Sequence, residues 1–415
     1  MTPPALGAAA PVPRSYRATF QAAPGLPLIM ATVAAHMMMF GMLTPVMAIY
    51  ASDFGVAEWA IGLMITVFAA GRLLADIPAG HASQRFGLST MLWLGPAIAG
   101  SASLLGAFAV SYEMLLAGRA LQGVGSGIYM TAATVYCASV GDRHVRGRIM
   151  ALFQGALLAG AAMGPVTGGI VADLFGLSGP FLASAAVGGV TAILVAVTIH
   201  PPEIGKKGGH HGPSGKLLAL LLIAPFACVL LINFGIFMTR TAGQWQMIPL
   251  LATERFAMSP GDIGLAITVS ALANLAVLPI AGTIVDTLPR PLVIVLSTLA
   301  AAASVAVIAL SGSELAFWLA MAAMGVSTGL GGPAVAAFAV DVAPEEMIGP
   351  AMGVMRFAGD FGYLLGPLSL GALVDLALVT HAGALLVNAV LLAVFAVVFS
   401  IFVAIRPAKP AGGSS

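Results

Sequence analysis

The chain has 415 residues, of which 60% are apolar and only 8% are charged. A soluble domain carries roughly 25% charged residues, so this composition excludes an ordinary water-soluble fold and predicts an integral membrane protein. The net charge of +1 gives no indication of nucleic acid binding. Both cysteines, Cys137 and Cys228, lie in apolar segments, so a disulfide framework is not predicted.

Apolar runs long enough to cross a bilayer, about 20 residues each, recur along the chain. Six precede a polar stretch and six follow it, and we number them as spans 1 to 12: 28–50, 60–82, 89–110, 113–139, 149–173, 179–199, 217–252, 262–284, 291–311, 315–340, 350–374 and 382–405. The run at 217–252 exceeds one straight crossing, and Pro225, Gly235, Gly243 and Pro249 allow it to bend. We therefore expect a six-helix bundle at 27–200, a linker at 201–216 and a second bundle at 217–405.

The basic residues divide unequally between the two ends of this predicted bundle. If the N-terminus is cytoplasmic, the inside segments carry 12 of the 17 Lys and Arg residues, while the outside loops carry only Arg255. The positive-inside rule then places both termini in the cytoplasm. The Pro- and Ala-rich residues 1–26 and residues 406–415 are accordingly expected as cytoplasmic tails, and the membrane as the bacterial inner membrane.

The second bundle repeats the first at an offset of 202 residues. RGRIMALFQGALLAGAAMGPVTGGIVAD, which ends at Asp173, returns as IGPAMGVMRFAGDFGYLLGPLSLGALVD, which ends at Asp375. A period this long indicates an internal duplication and not a solenoid repeat. The expected fold is therefore an all-α membrane protein of 12 helices in two pseudo-symmetric bundles.

Six charged residues fall deep inside the predicted spans, away from their ends, and these are the first candidates for function. A charge within the bilayer costs at least ~2.5 kcal/mol, so such a residue usually faces a cavity or a partner. Five of the six have an uncharged counterpart in the other copy, so symmetric packing does not explain them. The six are Arg72 and Asp76 on span 2, Arg119 on span 4, Arg240 on span 7, and Arg356 and Asp360 on span 11.

With these features the sequence resembles members of the major facilitator superfamily of secondary transporters. The GAAMGPVTGG stretch that begins at Gly160 is similar to the family's span 5 antiporter signature, Gly-x-x-x-Gly-Pro-x-x-Gly-Gly, without a gap. RALQGVGSG, which begins at Arg119, fits its span 4 signature. The resemblance is to the drug–proton antiporter branch, and it implies a substrate site between the two bundles near mid-membrane.

A third family signature, Gly-x-Leu-Ala-Asp-Arg-x-Gly-Arg-Arg between spans 2 and 3, matches in part. Gly80, Arg85 and Gly87 are kept, but Gln84 stands at the acid position. The second copy has the acid, Asp286, but lacks the arginine. Neither copy therefore has both the acid and the arginine of the charge relay that the family carries at the cytoplasmic end of the interface between the halves.

The glycines and prolines of the repeated segment have a packing interpretation and a conformational one. Glycines at four-residue spacing let helices approach closely in any membrane protein. In the resembled family they belong to the interface at which the two bundles rock. The candidates are Gly160, Gly164, Pro165 and Gly169 on span 5, with Gly366 and Pro367 on span 11; the two prolines are expected to bend their helices where the halves meet.

Polar residues near the buried arginines complete the predicted substrate cavity. Arg119 and Arg240 are expected to face it from opposite halves, although Arg119 could instead satisfy backbone carbonyls. For His36 on span 1 the sequence favours a packed neutral ring over a substrate or proton contact, and it is kept as a cavity candidate with Gln122, Asn233, Gln244 and Trp245. Sequence patterns indicate no metal or nucleotide site, so no cofactor is expected.

The charged pairs on spans 2 and 11 suggest a gate. Each pair is spaced four residues apart and so lies on one helical face. In the resembled fold these spans are antiparallel neighbours, which would set Arg72 beside Asp360 and Asp76 beside Arg356 in a cytoplasmic gate. The alternative is that each pair closes only within its own helix.

We expect a monomeric secondary transporter, not an enzyme, that works by alternating access. Proton-coupled efflux of a small organic or amphipathic molecule fits best, with Asp76 and Asp360 as proton carriers. Uptake or exchange of an organic anion is the alternative, because four arginines oppose two aspartates within the spans. A non-transporting membrane sensor is a third possibility, against which the chain shows no extra soluble domain.

Overall fold

In a bilayer every backbone N–H and C=O group must be paired within the protein, and apolar helices satisfy that condition. The computed structural model describes residues 25–140, 146–199, 221–344 and 347–404, and every regular element in these ranges is helical. The predicted linker 201–216 lies outside the described residues, as do residues 1–24 and 406–415 of the predicted tails.

The helices follow the predicted spans closely. Their bounds from span 1 to span 12 are Leu26–Gly41 with Met47–Ser52, Glu58–Phe86, Leu88–Ala107, Tyr112–Ser139, Arg146–Phe175, Gly179–Thr198, Ala224–Phe256, Pro260–Thr287, Arg290–Leu310, Glu314–Val342, Ile348–Asp375 and His381–Ala404. Ten described stretches are long and apolar enough to cross a membrane; span 1 is interrupted, and span 4 contains Glu113, Arg119 and Gln122.

The duplication is visible in how the helices pack. In the first half, span 4 packs on spans 2 and 3, span 6 on span 3, and span 1 on spans 5 and 6. The second half repeats these contacts, with span 10 on spans 8 and 9, span 12 on span 9, and span 7 on spans 11 and 12. The halves meet where span 5 packs on span 8 and span 2 on span 11, which is the arrangement of two pseudo-symmetric six-helix bundles.

Spans 1 and 7 differ most between the two halves. Span 1 breaks in a turn at residues 42–46, where Pro45 lacks a backbone donor. Span 7 instead widens into a π-helix, Thr239–Met247, between α-helices Ala224–Met238 and Ile248–Phe256. Pro225 and Pro249 lie in the first turns of those α-helices, where proline is tolerated, so the irregularity arises at the π-helix.

We call the end of the bundle at which the described chain begins the N-terminal face, and the opposite end the distal face. Gly25 and the C-terminal ends of the span 2, 4, 6, 8 and 10 helices lie at the N-terminal face, and the opposite ends of these helices lie at the distal face. At the N-terminal face, Gly87 ends span 2 with a φ of 85°, a left-handed conformation that favours glycine and turns the chain into span 3.

Candidate functional site

The distal ends of the two halves are in close contact. A methyl group on Gly62 of span 2 would overlap the Pro367 carbonyl of span 11, and one on Gly264 of span 8 would overlap the Pro165 carbonyl of span 5. These two contacts are related by the duplication. Both prolines thus lie where the halves meet, and glycine is required opposite each of them.

Two aspartates, each from one half, cap a helix N-terminus of the other half at the same interface. The Asp375 carboxylate accepts hydrogen bonds from the backbone N–H groups of Glu58 and Trp59, at 2.8 and 2.7 Å. Its counterpart, Asp173, accepts from the Gly261 N–H and the Ser259 hydroxyl, both at 3.2 Å. Free N–H groups and the helix dipole both favour a carboxylate at this position.

A third distal contact has no symmetric counterpart. The imidazole of His381, at the start of span 12, lies with Nδ1 2.8 Å from a Glu254 carboxylate oxygen and Nε2 3.2 Å from one of Glu58. A protonated imidazole donates from both ring nitrogens and ionised carboxylates only accept, so two carboxylate neighbours favour the positively charged ring. Since Glu58 belongs to the first half and His381 to the second, the cluster joins the halves.

An aromatic wall lies between the halves, deeper in the bundle. Trp245 of span 7 packs edge-on against Phe40 of span 1 at 5.2 Å and against Tyr363 of span 11 at 5.3 Å. Phe40 in turn stacks on Phe68 of span 2 at 4.7 Å. Four spans from both halves therefore meet at one group of rings.

Arg119 is buried behind this wall. Its side chain is 2% exposed, and its guanidinium carbon lies 4.6 Å from the Phe68 ring centroid and 5.9 Å from that of Phe40. The guanidinium donates to the Gln122 carbonyl, while the Gln122 amide donates to Ser103 at 2.8 Å. The Arg119 Nε is buried without a hydrogen-bond partner.

Arg240 approaches the same wall from the second half but is exposed. Its guanidinium carbon lies 5.6 Å from the Trp245 ring centroid. Because Trp245 touches residues of both halves, an exposed side chain beside it faces the space between them. Arg240, Trp245 and the half-buried Gln244 all lie on the π-helix, a feature found often at functional sites.

Two of the four predicted gate residues, Arg356 and Asp360, line a cavity of about 260 Å³ towards the N-terminal face. Span 11 contributes Arg356 and Asp360 to it, and Leu73 and Thr131 come from spans 2 and 4. Arg356 lies 4.0 Å from Asp360 on its own helix. The half-buried Arg72 has no carboxylate of a described residue within 4.0 Å, and the side chain of Asp76 lies outside the described set. The gate concerns a state closed at this face, so it stays a prediction.

Other predicted site residues lie within one half or outside the described side chains. His36 is 1% exposed, contacts Ser126 at 3.0 Å and stacks near Tyr129, so the structure places it inside the first bundle. Asn233 donates to the Met355 carbonyl at 2.7 Å, between spans 7 and 11 of the second bundle. The side-chain environments of Gly80, Arg85 and Asp286 are not described.

The signature glycines pack helices together. Added methyl groups on Gly160 and Gly164 would overlap span 1, at Ala34 and Gly41. One on Gly169 would overlap Pro260 of the other half, and one on Gly366 would press on Met238. Of this set, Gly169 therefore lies at the contact between halves.

Sequence reasoning missed Tyr363, Phe40 and Phe68 at the centre and His381 at the distal face. No motif contains them. Asp173 and Asp375 do carry a signal, because they are identical acids at matching positions of the duplication, each at a span end.

A comparison with known families decides the identity. The Major Facilitator Superfamily model matches residues 29–246 and 229–415. The chain belongs to the major facilitator superfamily. It is an integral membrane transporter for a small molecule, and not an enzyme.

Relatives within the superfamily are distant. An uncharacterized MFS-type transporter of Methanocaldococcus jannaschii is 25% identical over 354 residues, which cover 84% of this chain and 91% of that protein. The quinolone resistance protein NorA of Staphylococcus aureus is 23% identical over 232 residues, 55% of this chain and 58% of NorA.

Solved superfamily structures share the fold. The nucleoside transporter NupG aligns with a TM-score of 0.75 at 13% identity over 92% of this chain and 99% of that one. A bacterial homologue of the human lysosomal transporter Spinster aligns with a TM-score of 0.75 at 15% identity, over 96% and 100% of the two chains.

Proposed function

We propose that this protein exports small amphipathic organic molecules by alternating access in exchange for protons. Two features together carry the proposal. The halves are hydrogen-bonded to each other at the distal face, and charged side chains are exposed between them deeper in the bundle. In this proposal the protein is a monomer in the bacterial inner membrane, both termini are cytoplasmic, and the N-terminal face admits substrate. Outward movement rests on the similarity to NorA, which is named for quinolone resistance.

Asp360 is the proposed proton carrier, together with Asp76. It lies twelve residues after Ile348, about 18 Å along the span 11 helix, and is partly exposed. A carboxylate at that depth can accept a proton when the space between the halves opens to one side, and release it when that space opens to the other. Secondary transporters use such intramembrane acids as proton relays.

The test is transport into proteoliposomes with an imposed pH gradient. The probes are fluorescent amphipathic compounds, including a quinolone. We expect the gradient to drive uptake, and Asp360→Asn to abolish the drive while leaving part of the substrate exchange. Asp53→Asn, at an exposed distal acid, is the control and should retain coupling. Wild-type transport that is indifferent to the gradient would overturn proton coupling and favour the alternative, exchange of an organic anion.

A further inference from the structure

The charges around Tyr363 are unbalanced. Arg72, Arg119, Arg240 and Asp360 all interact electrostatically with the Tyr363 side chain, so among the described side chains three cations and one anion act on it. No carboxylate whose side chain is described lies within 4.0 Å of any of those three guanidinium groups; the Asp76 side chain, one turn from Arg72, is outside that set. A cation inside a membrane protein is costly without a counter-charge, so this region favours an incoming anion.

Arg240 is the cation that a ligand can reach. Arg119 is almost fully buried behind Phe40 and Phe68, whereas Arg240 is exposed between the halves. A planar guanidinium can donate two parallel hydrogen bonds to a carboxylate, and such charge-assisted bonds are about twice as strong as neutral ones. Arg119 adds a positive field from behind the wall without touching the ligand.

Aromatic surfaces adjoin this reachable cation. Trp245 and Tyr363, in edge contact at 5.3 Å, lie beside Arg240 and come from spans 7 and 11. Tyr363 is half-buried and Trp245 is 7% exposed, so a ligand ring would contact the Tyr363 ring and the exposed edge of Trp245. Aromatic rings prefer offset-stacked or edge-to-face contacts with other rings. A ligand with a ring next to its negative group would use both features together.

We infer that the transported molecule is a planar aromatic carboxylate, held by its carboxylate at Arg240 and by its ring against Trp245 and Tyr363. The inference rests on the proposed function, since it names the substrate class of that same site. An organic cation of the same size would meet the Arg240 guanidinium within the positive field of Arg72 and Arg119, and would be repelled.

The test compares three probes that share one ring system: 2-naphthoate, its primary amide, and 2-naphthylmethylamine. Binding to the purified full-length protein in nanodiscs is measured by titration calorimetry. A hydrogen-bonded charge pair in a protein is worth about 10- to 100-fold in affinity. We expect naphthoate to bind at least about tenfold more tightly than the amide, and the amine to bind least.

The variant series removes the charge while keeping the chain length. Arg240→Met should make naphthoate and the amide bind equally. Arg240→Lys should restore part of the preference for naphthoate, because lysine keeps the charge but lacks the planar pair of donors of a guanidinium. Arg290→Gln, at an arginine paired with Asp341 at the start of span 9, is the control and should keep the full preference. If Arg240→Met does not fold, the Arg240→Lys comparison decides alone.

Three outcomes would overturn the inference: equal binding of naphthoate and amide to the wild type, strongest binding of the amine, or no binding of any probe. An unchanged preference in a folded Arg240 variant would overturn it too. Loss of proton-driven transport would be a separate failure, because these titrations contain no gradient. Naphthoate binding without gradient-driven movement would refute the proposed function alone.

Discussion

The contact of His381 with two glutamates predicts how the distal face is held closed. Glu58 lies in the first half, whereas Glu254 and His381 both lie in the second. Of the two His381 contacts, only the one with Glu58 must therefore break when the halves separate at this face. Replacing Glu58 with Gln should open the distal face, and replacing Glu254 with Gln should not.

The expected size of the effect follows from burial. The His381 and Glu58 side chains are 19% and 21% exposed, and Nε2 lies 3.2 Å from the carboxylate oxygen. A hydrogen bond between charged groups contributes about 1.5–3 kcal/mol, and we take the lower end because solvent reaches the cluster. About 1.4 kcal/mol is a tenfold change in an equilibrium, so Glu58→Gln should raise the distal-open fraction about tenfold. Glu254 is 63% exposed, and its pair should contribute about 0–1 kcal/mol within one half.

The assay is labelling of a single cysteine by a membrane-impermeant maleimide. Cys137 and Cys228 are first replaced by Ala, and Ile61→Cys is introduced as the reporter. Ile61 is 1% exposed, shares a cluster with Trp245 and Leu250 of the other half, and adjoins Gly62, which packs on Pro367 of that half, so we expect it to react faster when the halves part. Glu58→Gln and His381→Gln should each speed labelling about tenfold, and the double variant should be no faster. Equal acceleration by Glu254→Gln, or additive effects in the double variant, would refute this reasoning.

Three further predictions concern the other contacts between the halves. Asp375→Ala leaves two helix N–H groups without their cap, so it should destabilise the distal-closed state by about 1–2 kcal/mol and speed labelling of the same reporter; unchanged labelling would contradict the capping role. Gly62→Leu should prevent distal closure, because its side chain would overlap the Pro367 carbonyl, and transport measured in vesicles should be lost although the protein still folds; normal transport would show that the contact is not needed. Neutralising either Asp76 or Arg356 should reduce transport more than exchanging the two residues, since an orphaned charge costs more than a swapped pair, and independent losses would leave only the pairs within each helix.

Much of the fold could be predicted from the sequence, for a physical reason. The bilayer permits helices of about 20 apolar residues, so hydropathy alone marks where they lie. The duplication adds the pairing of helices, because each contact in one half must have a counterpart in the other. Span 7 shows the limit: its proline and glycine positions suggested a bend, but the structure shows a π-helix at Thr239–Met247.

The candidate site was only partly predictable, since its side chains converge from distant parts of the chain. Arg119 and Arg240 were identifiable because a charge inside a span is costly. Tyr363 carries no such signal, as an amphipathic ring is unremarkable in a membrane helix. For His36 the sequence allowed either a packed ring or a cavity contact, because sequence spacing does not reveal which face of span 1 points inward; in the structure it contacts Ser126 and Tyr129 inside the first bundle.

Alternating access is the central claim, and distances between spin labels at both faces test it most directly. One label pair at exposed distal positions, Asp53→Cys and Thr253→Cys, spans the halves there, and a second pair, Ser139→Cys and Thr287→Cys, spans them at the N-terminal face. Changing pH or adding a transported compound should lengthen one distance while it shortens the other. Distances that stay fixed, or that lengthen together at both faces, would contradict the account.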